Sequence, residues 1–161
     1  MGFKDIFHND FSVVNSAHAR VNLIGEHTDY TGGYVLPSLL NFKTTIQISK
    51  NENKKYQVYS EHFNEQINFT DFIKSKNNEW ADYVKGCLFV FYDENKHIPN
   101  THLNIFISST IPMGRGISSS SALCVAVLKT LNNFFKTECA EKHIAILAQK
   151  VERDYIGVSG G

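Results

Sequence analysis

An α+β architecture, a mixed sheet with helices packed on it, is what this sequence predicts. Short β-branched and aromatic runs crowd its N-terminal part, and helical periodicity is concentrated in its later part. One further alternating segment, Leu103 to Ser108, falls between two helical stretches and adds a late strand to the sheet. Strands first and helices afterwards is the order of an α+β fold, not of repeated βαβ units.

Taken in order, Val21 to Ile24, Tyr34 to Leu36, Thr44 to Ser49, Tyr56 to Tyr59 and Gln66 to Phe69 have strand character. The polar stretches Lys50 to Lys55 and Lys74 to Asn78 read as exposed connections between elements. Trp80, Tyr83, Val84, Cys87, Leu88 and Phe91 recur at three- and four-residue steps, which predicts an amphipathic helix over 80–94. Trp80 and the aromatic residues around it are expected in the core. Leu103, Ile105 and Ile107 share one face of the late strand, and Asn104, Phe106 and Ser108 the other. Ala122 to Phe135 and Glu138 to Tyr155 are the remaining helices.

The bulk properties exclude several classes. At 161 residues the chain has one domain's worth of sequence and can bury a real core. Sixteen basic residues balance sixteen acidic ones with no basic block, so nucleic acid and anionic membrane surfaces are poor partners. Cys87, Cys124 and Cys139 are widely spaced, in no metal-like pattern, and read as reduced thiols; Cys87 and Cys124 are expected inside helices. No apolar run approaches transmembrane length and no signal segment opens the chain, so the expectation is a cytoplasmic protein. His8, His18, His62, His97, His102 and His143 form no constellation and receive no role.

The segment Arg20-Val21-Asn22-Leu23-Ile24-Gly25-Glu26-His27-Thr28-Asp29-Tyr30-Thr31-Gly32-Gly33 is the most informative in the chain. It runs from a strand into a loop that packs Glu26, His27, Thr28 and Asp29 between glycines. A loop that only turned would need none of these groups. Carboxylates and an imidazole at this density suit a small polyhydroxylated ligand. A polar surface turn or a metal site is the other reading, although no Cys or second His stands at zinc-like spacing. The segment resembles the sugar-binding motif of galactokinases, within the GHMP family of small-molecule kinases.

A second motif, Pro112-Met113-Gly114-Arg115-Gly116-Ile117-Ser118-Ser119-Ser120-Ser121-Ala122, follows a strand and opens a helix. Gly114 and Gly116 let backbone N–H groups face an anion, and serines at a helix start favour phosphate and cap the helix. It is neither a Walker A loop, lacking Gly-Lys-Ser/Thr, nor a dinucleotide fingerprint. By itself it could be a plain N-cap with a long serine tract, and Arg115 an ordinary exposed loop arginine. It resembles the second GHMP motif, with Ile117 for the usual Leu and Ser121 where Ala is common. Val151-Glu152-Arg153-Asp154-Tyr155-Ile156-Gly157 resembles a third family segment. From the helical pattern alone, Glu152 flanks the row Ile144, Leu147, Ala148, Val151 and Tyr155 and reads as a solvated edge residue.

The resemblance, from Phe11 to Gly161, implies the GHMP-kinase N-terminal domain, a fold like the second domain of ribosomal protein S5. It implies phosphorylation of α-D-galactose at the 1-hydroxyl by ATP. Glu26, His27, Thr28 and Asp29 then hold the sugar, and Arg20 stabilises charge at the attacking oxygen. Gly114, Arg115, Gly116, Ile117, Ser118, Ser119 and Ser120 bind ATP, while Ser120 and Glu152 carry Mg²⁺. Ala17-His18-Ala19 departs from the family's Ala-Pro-Gly before Arg20. The family continues past Ser159-Gly160-Gly161 through Ile-Met-Asp, whose Asp is the proposed base, and into a C-terminal domain. Residues 1–161 are therefore expected to be an incomplete N-terminal domain, inactive as given and with apolar faces uncovered, and monomeric when full length. Kinases for N-acetylgalactosamine or arabinose, and a non-catalytic galactose- and ATP-sensing regulator, are the alternatives.

Overall fold

A computed structural model describes residues 1–25, 27–28, 31–75, 80–112 and 118–158. The elements run α1 (Phe3–Phe7), β1 (Val13–Ile24), β2 (Leu36–Lys50), β3 (Tyr56–Ser60), β4 (Glu65–Phe69), α2 (Trp80–Glu94), β5 (Leu103–Ser109), α3 (Ser119–Phe135) and α4 (Glu141–Lys150), the last passing into a π-turn, Val151–Ile156. The five strands form one sheet in the order β1-β2-β5-β3-β4. All neighbours are antiparallel except β3 and β5, which run parallel. The sheet is mixed, as the order of patterns predicts.

The alternation on β5 sorts its side chains as the sequence implies. Leu103, Ile105 and Ile107 join Ile46, Ile48 and Val58 beneath α2, α3 and α4. Phe106 points the other way and packs with Tyr59 against Phe3 of α1. Helix α1 lies outside the sequence expectation, since five residues carry too little periodicity to read. Its start is fixed by Asp5, whose carboxylate accepts the Gly2 N–H at 2.7 Å.

Strand β1 begins at Val13, well before Val21; β2 starts only at Leu36, leaving Tyr34 and Val35 outside it, and runs unbroken from there through Thr44 to Lys50. The ladder from Val13↔Ile48 to Ile24↔Leu36 explains both: cross-strand pairing carries polar Asn15, Ser16 and His18 into the sheet regardless of propensity. The far ends of the two strands expose Leu23, Ile24, Leu36 and Leu39. Buried residues of α2, α3 and α4 share one core cluster with the inner face of the sheet, while Phe89 and Ile146 of the helices stay exposed.

Helix α2 spans the predicted 80–94, and α3 starts at Ser119, earlier than Ala122. The last helix is not continuous from Glu138. Glu138 has a positive φ of 55°, α4 begins at Glu141, and the backbone widens from Val151. The π-turn packs on α2 at Gly86, where a Cβ would stand 2.7 Å from Tyr155 Cδ1 and 2.8 Å from Val151 Cγ1. Gly86 is thus the close-approach point that lets the two elements meet. Tyr155 ties the turn down by donating its hydroxyl to the Phe72 carbonyl, and Lys74 Nζ reaches the Ile156 carbonyl at 2.6 Å.

Candidate active site

The first turn of α3 and the π-turn meet at Glu152. Its side chain is 3% exposed, so it is a buried carboxylate and not the solvated edge residue that the helical pattern implies. The π-turn draws Val151, Glu152 and Ile156 into the interior together, where the α-helical row before it would leave Glu152 on a flank. Two hydroxyls meet the charge. Ser120 Oγ donates to Oε1 at 2.6 Å and Ser121 Oγ to Oε2 at 2.9 Å. The Glu152 carbonyl accepts from the Gly157 and Val158 N–H groups at 2.9 and 3.0 Å, which anchors the backbone beneath the side chain. Burial and the Glu152 charge together push the nearby Tyr83 hydroxyl up from its ordinary pKa.

Ser118 occupies the N-cap position of α3 with φ 58°, ψ 42°, and its side chain makes no capping bond. The expected serine cap is therefore not formed. The hydroxyls of Ser120 and Ser121 go to Glu152 instead. That leaves the first N–H groups of a seventeen-residue helix without a side-chain cap from Ser118, at the end where its dipole favours anions. Gly114, Arg115, Gly116 and Ile117 lie outside the described residues.

A cavity flanks this turn on either side. One, of about 210 Å³, is lined by Ser119 and Ser120 together with Phe63, Trp80, Tyr83 and Leu123. Phe63 and Trp80 stack at 5.8 Å with planes 14° apart, and Trp80 Nε1 donates to Glu65 at 2.9 Å. Trp80 is only partly core: it packs against the main cluster and also presents itself to this cavity. The spacing of Trp80 and Tyr83 at i and i+3 carries that signal, since one helix face serves both core and cavity.

The other cavity, of about 330 Å³, is lined by Arg20, His18 and Leu39 from the β1–β2 ladder and by Ser118, Ser121 and Lys129 from α3. Arg20 sits on β1 at a register shift between His18 and Arg20 and is half-buried. The fold so brings Arg20 to the serine turn, although the two are far apart in sequence. In the loop after β1, Gly25 has φ 88°, and Thr28 Oγ1 reaches the Gly25 and Tyr34 carbonyls at 3.1 and 3.0 Å. Thr28 also accepts the Gly33 N–H at its carbonyl, 2.8 Å. Its hydroxyl therefore holds the loop closed. His27 is exposed, and Glu26 and Asp29 lie outside the described residues.

Among the described residues no three His, Cys, Asp or Glu side chains gather around a common point. Mg²⁺ asks for less, since it keeps waters and takes one or two protein oxygens beside phosphate. Ser120 Oγ and Glu152 Oε1, both hard oxygens at the mouth of an anion-favouring helix end, fit that requirement. No helix among the described residues is long and apolar enough to cross a membrane.

The chain belongs to the GHMP kinase family: the model of the GHMP kinases N terminal domain matches residues 82–161, and the galactokinase galactose-binding signature matches residues 1–50. Within the family the likeness is to galactokinases. The chain is 43% identical to the galactokinase of Pyrococcus furiosus over 142 residues, 88% of this chain and 39% of that one. It is 35% identical to the galactokinase of Fusobacterium nucleatum over 164 residues, covering 99% and 42%. The crystal structure of Lactococcus lactis galactokinase complexed with galactose superposes with a TM-score of 0.87 at 35% identity, over 99% of this chain and 42% of that one. The Methanococcus jannaschii mevalonate kinase shares the fold, with a TM-score of 0.81 at 23% identity. The chain spans about two fifths of the length of the curated relatives it matches.

Proposed function

We propose that this chain supplies the sugar- and phosphate-binding half of a galactokinase, transferring the γ-phosphoryl group of ATP to the 1-hydroxyl of α-D-galactose. The observation that carries the reading is the buried Glu152 carboxylate held on Ser120 at the start of α3, between an aromatic cavity and one lined by Arg20. In this reading the flat slot beside Phe63, Trp80 and Tyr83 takes the purine, because stacking surfaces and apolar walls suit a planar base. The triphosphate then lies on the backbone of residues 114–120, at the positive end of α3. Arg20 faces the transferring group from the opposite wall and offsets its developing charge. Glu26, His27 and Asp29 accept and orient the sugar hydroxyls, with Thr28 holding their loop in shape. Ser120 and Glu152 would hold Mg²⁺, which supplies charge neutralisation across the phosphates when bound. What these residues contribute is position and charge, the terms on which phosphoryl transfer chiefly depends.

Calorimetric titration of the protein, in its full natural length, with galactose, N-acetylgalactosamine and arabinose tests the reading. Galactose should bind tightest, and Asp29→Ala should weaken it strongly, since each unpaired hydroxyl forfeits about 1–3 kcal/mol. Preference for another sugar, or an unchanged Kd in Asp29→Ala, would refute it.

A further inference from the structure

The second hydroxyl on Glu152 is not accounted for by that scheme. Ser120 alone would serve as the serine ligand beside the carboxylate. Yet Ser121, where the family motif commonly has Ala, spends its hydroxyl on Oε2 at 2.9 Å. The two serines stand on opposite sides of the turn, Ser120 at the aromatic cavity and Ser121 at the Arg20 cavity. Resting on the proposed metal role of Ser120 and Glu152, we propose that Ser121 is a positioning residue that occupies Oε2 so that Glu152 meets the divalent cation through Oε1 alone, and that it thereby sets the preference for Mg²⁺ over Ca²⁺.

The physical basis is the shape of the carboxylate. Glu152 is buried, its backbone is pinned by Gly157 and Val158, and each carboxylate oxygen has its own hydroxyl partner. A ligand oriented in this way has little freedom to rotate. Mg²⁺ demands near-ideal octahedral geometry, which a single carboxylate oxygen satisfies, whereas Ca²⁺ also accepts both oxygens of one carboxylate. With Oε2 held by Ser121, the bidentate mode competes with a part-buried hydrogen bond. With Ala at 121, Oε2 is released and that competition disappears. Groups that orient a metal ligand typically alter metal affinity by about 10–100-fold when removed.

The test is calorimetric titration of MgCl₂ and, separately, CaCl₂ into the protein of full natural length with ADP present, for wild type, Ser121→Ala, Ser121→Thr and Glu152→Gln. Thermal melts without metal confirm that each variant is folded. The expected result is a fall of roughly tenfold or more in the Mg²⁺-to-Ca²⁺ affinity ratio for Ser121→Ala, restored by Ser121→Thr, which keeps the hydroxyl. Glu152→Gln should lose affinity for both ions. An unchanged ratio in Ser121→Ala beside a loss in Glu152→Gln would overturn the role of Ser121 and leave the metal site standing. Unchanged binding in Glu152→Gln would overturn the metal site and the role of Ser121 with it.

Discussion

Gly86→Ala tests whether the contact between α2 and the π-turn is what places Glu152. In an unhindered helix interior the substitution stabilises, because Ala restricts the unfolded chain and Gly costs about 1 kcal/mol relative to it. Here the new methyl would stand 2.7 Å from Tyr155 and 2.8 Å from Val151, closer than any relaxed carbon contact. Neither neighbour can easily retreat. Val151 is fully buried in the main core, and Tyr155 is bonded through its hydroxyl to the Phe72 carbonyl. Overpacking of this kind costs about 1–3 kcal/mol, so the balance is a net loss of about 0–2 kcal/mol. For a chain of this size each kcal/mol corresponds to about 2–4 °C in Tm. Urea unfolding followed by circular dichroism, with melts alongside, reads the sign directly. A stabilisation near 1 kcal/mol would mean that the π-turn rests on α2 more loosely than the reasoning requires.

Three further outcomes follow from the same geometry. Asp82 is fully buried; burial alone would raise its carboxyl, but hydrogen bonds from Ser75 and the Lys85 ammonium hold it below the ordinary carboxylate value. A depressed folded-state pKa gives stability that is present above the unfolded value and lost as pH falls through the folded one, so wild type should lose an increment below about pH 4 that Asp82→Asn never has, and parallel pH profiles would contradict this. Ser120→Ala and Glu152→Gln share one part-buried hydrogen bond, so their unfolding free energies should couple by about 0.5–3 kcal/mol in a double-mutant cycle, and simple additivity would separate them. Cys87 and Cys124 are buried, the latter's thiol pushed up by Cys87 and by burial, while Cys139 is half-buried; Ellman's reagent should therefore reach Cys139 first and the other two only after unfolding, and equal labelling of all three would contradict the packing.

The sheet and helices were legible because alternation on β5 and the three- and four-residue steps of α2 are strong, local patterns. The extent of β1 was not, since Asn15, Ser16 and His18 enter the sheet only through their partners Ile46, Thr45 and Lys43. At the site, the sequence order of Arg20, the serine turn and Glu152 was readable as a family pattern, but nothing local says that Ser121 shares the carboxylate with Ser120. Nor does the sequence separate a tryptophan that only fills a core from one that also lines a cavity. Trp80 takes the second role because Phe63, from the connection between β3 and β4, lies flat against it.

The solvated reading of Glu152 failed for a reason that also bears on what the residue does. The row Ile144, Leu147, Ala148 and Val151 sets an α-helical phase, and that phase puts the next residue on a flank. The backbone abandons the phase at Val151, and the wider turn carries the carboxylate inward. Such widenings are rare and concentrate at functional positions. Burying a carboxylate is costly, and the two hydroxyl donors from Ser120 and Ser121 offset part of that cost. On the proposed reading that charge is used, because the carboxylate lies at the N-terminus of α3, where a nucleotide's phosphates and their cation would arrive.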